Sequence, residues 1–132
     1  MIIKTVKYQN FNGEEVEKTL HFHISYPEFT KLETSVEGGY GEKIKKLVKT
    51  KDNKEIVEVF DYLILNSYGV KSEDGEEFIK TPELKEKFRN SAAYAALFAE
   101  LAQDENKAAE FINGILPTEV KKKMAEVEKS NN

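Results

Sequence analysis

The sequence predicts an α+β protein: an N-terminal antiparallel β-hairpin followed by a bundle of short α-helices. Two observations predict it. Apolar and polar residues alternate on both sides of an Asn12-Gly13 turn, which is the period of a half-buried strand. From Ser25 onward the apolar spacing becomes helical, and caps and breakers cut the chain into about six or seven short helices. A chain of 132 residues is the size of one domain. Residues 1–128 are expected to form a single domain, with the hairpin over 1–24, the helical part over 25–128, and a frayed tail over 129–132.

The first strand places Ile2, Val6 and Tyr8 among lysines. Asn12 and Gly13 both tolerate positive φ, so they suit a tight turn. In the returning strand Leu20, Phe22 and Ile24 face one way, and His21 and His23 the other. Ser25 with Glu28 fits a capping box, Pro27 suits a first helical turn, and Phe29, Leu32 and Val36 follow at helical spacing. Gly38-Gly39 ends that helix. The next carries Tyr40, Ile44, Leu47 and Val48 on one stripe and Lys43, Lys45, Lys46 and Lys49 on the other.

Asp52 is expected to cap a third helix, which is apolar on every side: Ile56, Val57, Val59, Phe60, Leu63, Ile64 and Leu65. Such a helix belongs in the centre of a core, or else part of it meets a partner. Gly69 reads as its C′ residue. A polar loop with an Asp74-Gly75 turn leads to a short extended segment at Phe78-Ile79. Thr81-Pro82 starts a helix bearing Leu84 and Phe88. Asn90 or Ser91 starts an Ala-rich one, whose small side chains allow close approach of another helix. Asp104 caps a further helix that Gly114 closes, and Pro117 opens the last, with a thin stripe of Val120, Met124 and Val127.

Composition excludes several function classes. There is no Cys, hence no disulfide, thiol nucleophile or zinc finger. No apolar run approaches the ~20 residues of a membrane span, and the N-terminus lacks a signal-peptide core, so a cytoplasmic, membrane-free protein is expected. Net charge is −4, and Lys121-Lys122-Lys123 is followed by Glu126 and Glu128, a solvated helix face rather than a nucleic-acid footprint. His21 and His23 share a strand face without further ligands at metal spacing, and read as solvent-facing. Ser72–Glu77 holds fragments of a calcium loop and reads as a turn. Gly38-Gly39-Tyr40-Gly41 lacks the Lys-Ser/Thr of a phosphate loop and reads as a connector. No catalytic residue, cofactor or metal is expected, and a non-enzymatic binding protein is the reading that remains.

The segments Phe11-Asn12-Gly13, Phe29–Val36 followed by Gly38-Gly39, Leu63–Lys80, Ala93–Phe98 and Phe111–Pro117 carry a resemblance that runs over most of the chain. Within them, Ser67-Tyr68-Gly69, Asp74-Gly75 and Asn113-Gly114-Ile115-Leu116-Pro117 are specific by their order and spacing. In these the chain resembles the small tail assembly chaperones of long-tailed bacteriophages, of the type found in phages and prophages of Gram-positive bacteria. The resemblance implies a protein made in the infected bacterium during tail morphogenesis and absent from the finished virion. Such chaperones coat the tape measure protein, keep it soluble, and give way to tail tube protein as the tube polymerises. The family often makes a longer product by ribosomal frameshifting. Expected partners are therefore the tape measure protein, the tail tube protein and further copies of the chain itself, with no nucleic acid and no membrane. Competing readings are a structural tail component of the virion and a small phage-encoded regulator that binds a host protein.

A holdase needs an apolar binding face and a charged exterior. The apolar surplus on two helices places that face at Phe60, Leu63, Ile64, Tyr94, Leu97 and Phe98, with the C-terminal helix as a partner-facing arm.

Overall fold

Alternation builds β1 (Ile2–Gln9) and β2 (Glu15–Phe22), paired antiparallel from Ile2↔Phe22 to Gln9↔Glu15. The computed structural model describes residues 1–50 and 53–117. Asn10 organises the turn: its Oδ1 accepts the backbone N–H groups of Asn12 and Glu14, each at 2.9 Å. Gly13 takes φ +80°, which glycine adopts without steric cost. Val6, Leu20 and Phe22 point into the core, and Ile24 continues that face beyond the strand. The opposite face is wet and polar, with Thr5 and Thr19 joined across the strands at 3.1 Å.

The hairpin does not stand alone. Helix α3 (Asn53–Ser67) ends one residue before β3 (Tyr68–Lys71), which joins β2 through His21↔Gly69 and Phe22↔Tyr68. A two-residue strand, β4 (Phe78–Ile79), pairs Val70↔Ile79 and Lys71↔Phe78. The result is a four-stranded antiparallel sheet in the order β1-β2-β3-β4. Gly69 is thus not a helix C′ residue, and its φ is not left-handed. It is glycine for space: a Cβ there would lie 2.6 Å from Cε2 of Phe78 and 2.9 Å from the Ile79 carbonyl oxygen. Phe78 covers this part of the outer sheet face. His21 and His23 are consequently half-buried rather than solvent-facing, and the His23 ring meets Phe78 edge-on at 6.2 Å.

The helical part follows its caps. Ser25 and Glu28 form the capping box of α1 (Tyr26–Ser35), and Gly38 and Gly39, both at positive φ, turn the chain into α2 (Tyr40–Thr50). Thr81, Ser91 and Asp104 cap α4 (Pro82–Arg89), α5 (Ala92–Ala102) and α6 (Glu105–Ile115) with their side-chain oxygens. Gly114 does not close α6 but lies inside its last turn, where the Ile2 side chain fills the place a Cβ would take. The Asp52 cap, the last helix with Val120, Lys121-Lys122-Lys123, Met124 and Val127, and the 129–132 tail lie outside the described residues, as do the side chains of Lys45, Leu47, Val48 and Lys49.

One apolar cluster joins sheet and helices. After β2, the N–H of His23 donates to the Ser67 carbonyl at 2.8 Å and that of Ile24 to the Ile115 carbonyl at 3.0 Å. The end of the hairpin therefore clasps the C-terminal ends of α3 and α6. Phe22, with no exposed surface, meets Tyr68, Phe88 and Phe111 at ring distances of 5.9, 5.9 and 5.1 Å.

Phe22→Ala should cost about 3–5 kcal/mol in urea unfolding, because the cavity cannot collapse within a ring of other rings. Gly69→Ala should cost about 1–3 kcal/mol by overpacking. Gly41→Ala serves as the control: its nearest contact would be 3.6 Å away, so the helix-propensity gain of up to about 1 kcal/mol should survive.

Candidate partner-binding surface

The expected partner face divides in two. Phe60, Leu63, Ile64 and Leu97 are 9%, 2%, 0% and 0% exposed and belong to the core. Tyr94 and Phe98 are half-buried, pack against that core, and reach the surface. The apolar surplus of helix α3 goes into the core, with α2 and α4 both packed on it, while Lys54, Glu55 and Glu58 are exposed. Only Val57 and Tyr62 among its large apolar residues remain broadly exposed.

Helix α5 is built differently. Ala93, Leu97 and Leu101, at four-residue spacing, form its buried ridge. Its wet side carries Ala95, Ala99 and Ala102, all exposed, where a surface helix ordinarily shows charge. Tyr94 and Phe98 border this strip, their rings 6.0 Å apart. The single charge of the helix, Glu100, is held aside by Lys4 of β1 at 3.0 Å and Lys107 of α6 at 3.3 Å. Burial alone would raise the Glu100 pKa, but these two ammonium groups outweigh it and hold the carboxylate below its ordinary value. The outcome is an uncharged lane of small side chains that another helix could approach closely. Sequence reasoning noted the alanines but not their exposure. The readable signal was their spacing on a helix with one charge.

A second apolar feature is tertiary. Leu32 of α1, Val36 just beyond its end, Tyr40 of α2, and Val59 and Tyr62 of α3 line a cleft of about 350 Å³, with Lys43, Glu55 and Glu58 at its rim. Burial, assisted by the neighbouring Tyr62, pushes the Tyr40 hydroxyl up to about 12, so it stays neutral. The first turn of α2 is bonded back to α1: the Gly41 N–H donates to the Glu33 carboxylate at 2.7 Å.

A polar node fixes the other side of α1. Lys80 Nζ donates to Glu28 Oε2 at 2.7 Å and to the Asn66 carbonyl at 2.9 Å, while Lys85 Nζ donates to Asn66 Oδ1 at 2.6 Å. These bonds tie the start of α1 to the end of α3 and to the β4–α4 segment. Burial lowers the Lys80 pKa, against the pull of Glu28. For Glu28, burial acts to raise the pKa, but the bonds from Lys80 and Ser25 prevail and lower it. The Ser72–Glu77 loop is a hydrogen-bonded turn, with Ser72 Oγ donating to Asp74 Oδ1 at 2.6 Å and Gly75 at φ +76°. Among the described residues no three acids or histidines converge on a metal position, and no helix is long and apolar enough to cross a membrane.

The Glu28 node generates a pH prediction. Its carboxylate is depressed below 4.5 in the folded state, so its stabilisation is full above that value and is lost as pH falls through the lower folded pKa. The urea midpoint should therefore drop between about pH 5 and about pH 3, and Glu28→Gln should flatten that slope while lowering the midpoint at neutral pH.

No curated protein and no solved structure shows significant similarity to this chain. A family model does: the one described as phage tail assembly chaperone matches residues 1–132. That match covers the whole sequence, including every segment that carried the resemblance, and the chain belongs to the phage tail assembly chaperone family.

Proposed function

We propose that this chaperone binds the tape measure protein, keeps it soluble, and helps recruit tail tube subunits during tail morphogenesis, working in the cytoplasm of the infected bacterium and leaving before the virion is complete. The observation that carries the reading is the uncharged wet face of α5, with exposed Ala95, Ala99 and Ala102 beside Tyr94 and Phe98. Family membership implies a role in assembly rather than catalysis and partners among the tail proteins.

The physics of a holdase fits that face. A helix with an apolar stripe would lie along the alanines, its larger side chains meeting the rings of Tyr94 and Phe98. Phe60, Leu63, Ile64 and Leu97 would act from beneath, holding α3 and α5 in place. One such contact is small, so release to the tail tube protein stays feasible, and many copies on one long client supply avidity. Charged residues make up 33% of the sequence, which helps keep the loaded complex dispersed.

Burial dictates the choice of test variant. Leu97→Asp would place a carboxylate among fully buried side chains and would report on folding. Ala95→Glu with Ala99→Glu changes only exposed positions. Co-expression with the tape measure protein encoded nearest to this chain, followed by size-exclusion chromatography, should give a soluble joint peak, with the tape measure protein insoluble alone. The double variant should fold normally and capture the client at least about tenfold less, since charges stranded in an apolar contact each cost about 1–3 kcal/mol. Lys87→Glu, on the exposed side of α4, should leave capture unchanged. Capture that is indifferent to the double variant would move the client off α5, and no joint peak at all would overturn the reading.

A further inference from the structure

The sheet ends on one long open edge. In the order β1-β2-β3-β4 the far edge is the two-residue β4, whereas β1 runs over Ile2–Gln9. Bonding alternates along an antiparallel pair. The Asn10 N–H, which continues the register of the hairpin, donates to the Glu14 carbonyl, so the even residues of β1 bond to β2. Ile3, Thr5, Lys7 and Gln9 therefore direct their N–H and C=O groups outward, and they meet no backbone partner among the described residues. All are exposed, Ile3 to 62%. Such an edge is a template for another strand.

Charge and side-chain order suit a second copy of the same strand. Lys4 is turned to the inner face, where Glu100 holds its ammonium at 3.0 Å, so each copy brings a matched ion pair. Antiparallel pairing of β1 with itself about Thr5 sets Ile3 against Lys7, Ile2 against Tyr8 and Lys4 against Val6. No like charges stand opposite one another, and a lysine stem covers the exposed Ile3. The Thr–Thr and Ile–Tyr pairs are favourable across strands. Pairing about Lys7 would instead set lysine on lysine.

The helix beneath the edge admits the copy. Paired strands lie about 4.8 Å apart, whereas packed helices need about 8–10 Å, so two copies can close only if the flank of α5 is small. Helix α5 packs under β1, and its Lys4-bound Glu100 marks the flank nearest that strand. Ala92 and Ala96 lie on the same ridge as Glu100, at four-residue spacing. Helix α4 lies on the other flank, where the Phe88 and Tyr94 rings are 5.4 Å apart. A bare extended peptide would pair with the edge and leave the alanine flank empty; a second copy supplies both a strand and a matching flank.

We infer that β1 of one copy pairs antiparallel with β1 of a second about a two-fold axis at Thr5, so that the sheet runs on from copy to copy and the two α5 helices lie side by side. The contact engages residues 2–8 of β1 and one flank of α5, about half of the roughly 20–30 residues a side of a standard interface. The dimer is therefore concentration-dependent, and it strengthens where copies are gathered at high local concentration. Tyr94, Phe98, Ala95 and Ala102 lie on other sides of α5 and stay open.

The test uses the chain alone, so its outcome is separate from that of the client reading. Sedimentation velocity should show a reversible monomer–dimer equilibrium between about 10 μM and about 1 mM. Thr5→Pro keeps the backbone bonds to β2, because the Thr5 N–H faces outward, but removes both donors of the central pair; it should weaken the dimer at least about tenfold. Thr5→Lys gives up only the exposed bond to Thr19 and sets lysine on lysine; it should weaken the dimer severalfold with circular dichroism unchanged. The natural absence of cysteine allows a scan of single cysteines. Under mild oxidation Thr5→Cys should form its symmetric disulfide at least about tenfold faster than Lys7→Cys or Thr19→Cys, since only at Thr5 do the paired Cα atoms come within the about 4.4–6.8 Å that a disulfide spans. A monomer at every concentration, a dimer indifferent to both Thr5 variants, or a scan without a maximum at Thr5→Cys would overturn the inference.

Discussion

Phe22 is the residue on which the other elements converge. It closes β2, has no exposed surface, and brings together rings from β3, α4 and α6. Tyr68 and Phe88 stack on each other at 4.1 Å, and Phe60 of α3 stacks on Phe111 at 6.4 Å. Each of these partners lies far away in sequence, so the helices can pack on Phe22 only with the hairpin in this register. A one-residue slip would turn Phe22 to solvent and bring His21 inward. The Asn10-centred turn that fixes this register is therefore coupled to the core at the other end of the strands.

That core explains why the surface has the character it does. Most of the large apolar side chains of α3 and α5 are drawn into the centre, with Val57 and Tyr62 left exposed on α3. What remains outside on α5 is the residue type least able to repel a neighbour: alanine, neither charged nor bulky. Glu100, which could have placed a charge beside the lane, is drawn aside by Lys4 and Lys107. A client-binding face of this kind is weak per copy and tolerant of sequence, which suits a long client released stepwise.

The hairpin, the capping box at Ser25, and the starts at Thr81, Ser91 and Asp104 were legible because each is encoded within a few neighbouring residues. The third strand was not, nor was the pairing that joins the extended segment at Phe78-Ile79 to it. Tyr68–Lys71 is too short to show a period, and its glycine resembles a helix stop until Phe78 and the backbone of Ile79 are placed against it. Gly114 misled for the same reason, since its constraint comes from Ile2 at the other end of the chain. The apolar surplus of α3 and α5 was visible in the sequence, but which side of each helix faced inward depended on the sheet beneath. The cleft among α1, α2 and α3 is assembled from three elements and leaves no local signature.

The central claim is that the tape measure protein lies along the alanine lane of α5. Alanine-methyl NMR of the chain, titrated with soluble tape measure fragments, addresses it directly. The account predicts progressive shifts of the Ala95, Ala99 and Ala102 methyls, with buried Ala93 little changed. Saturable binding that leaves those three methyls unmoved would contradict it.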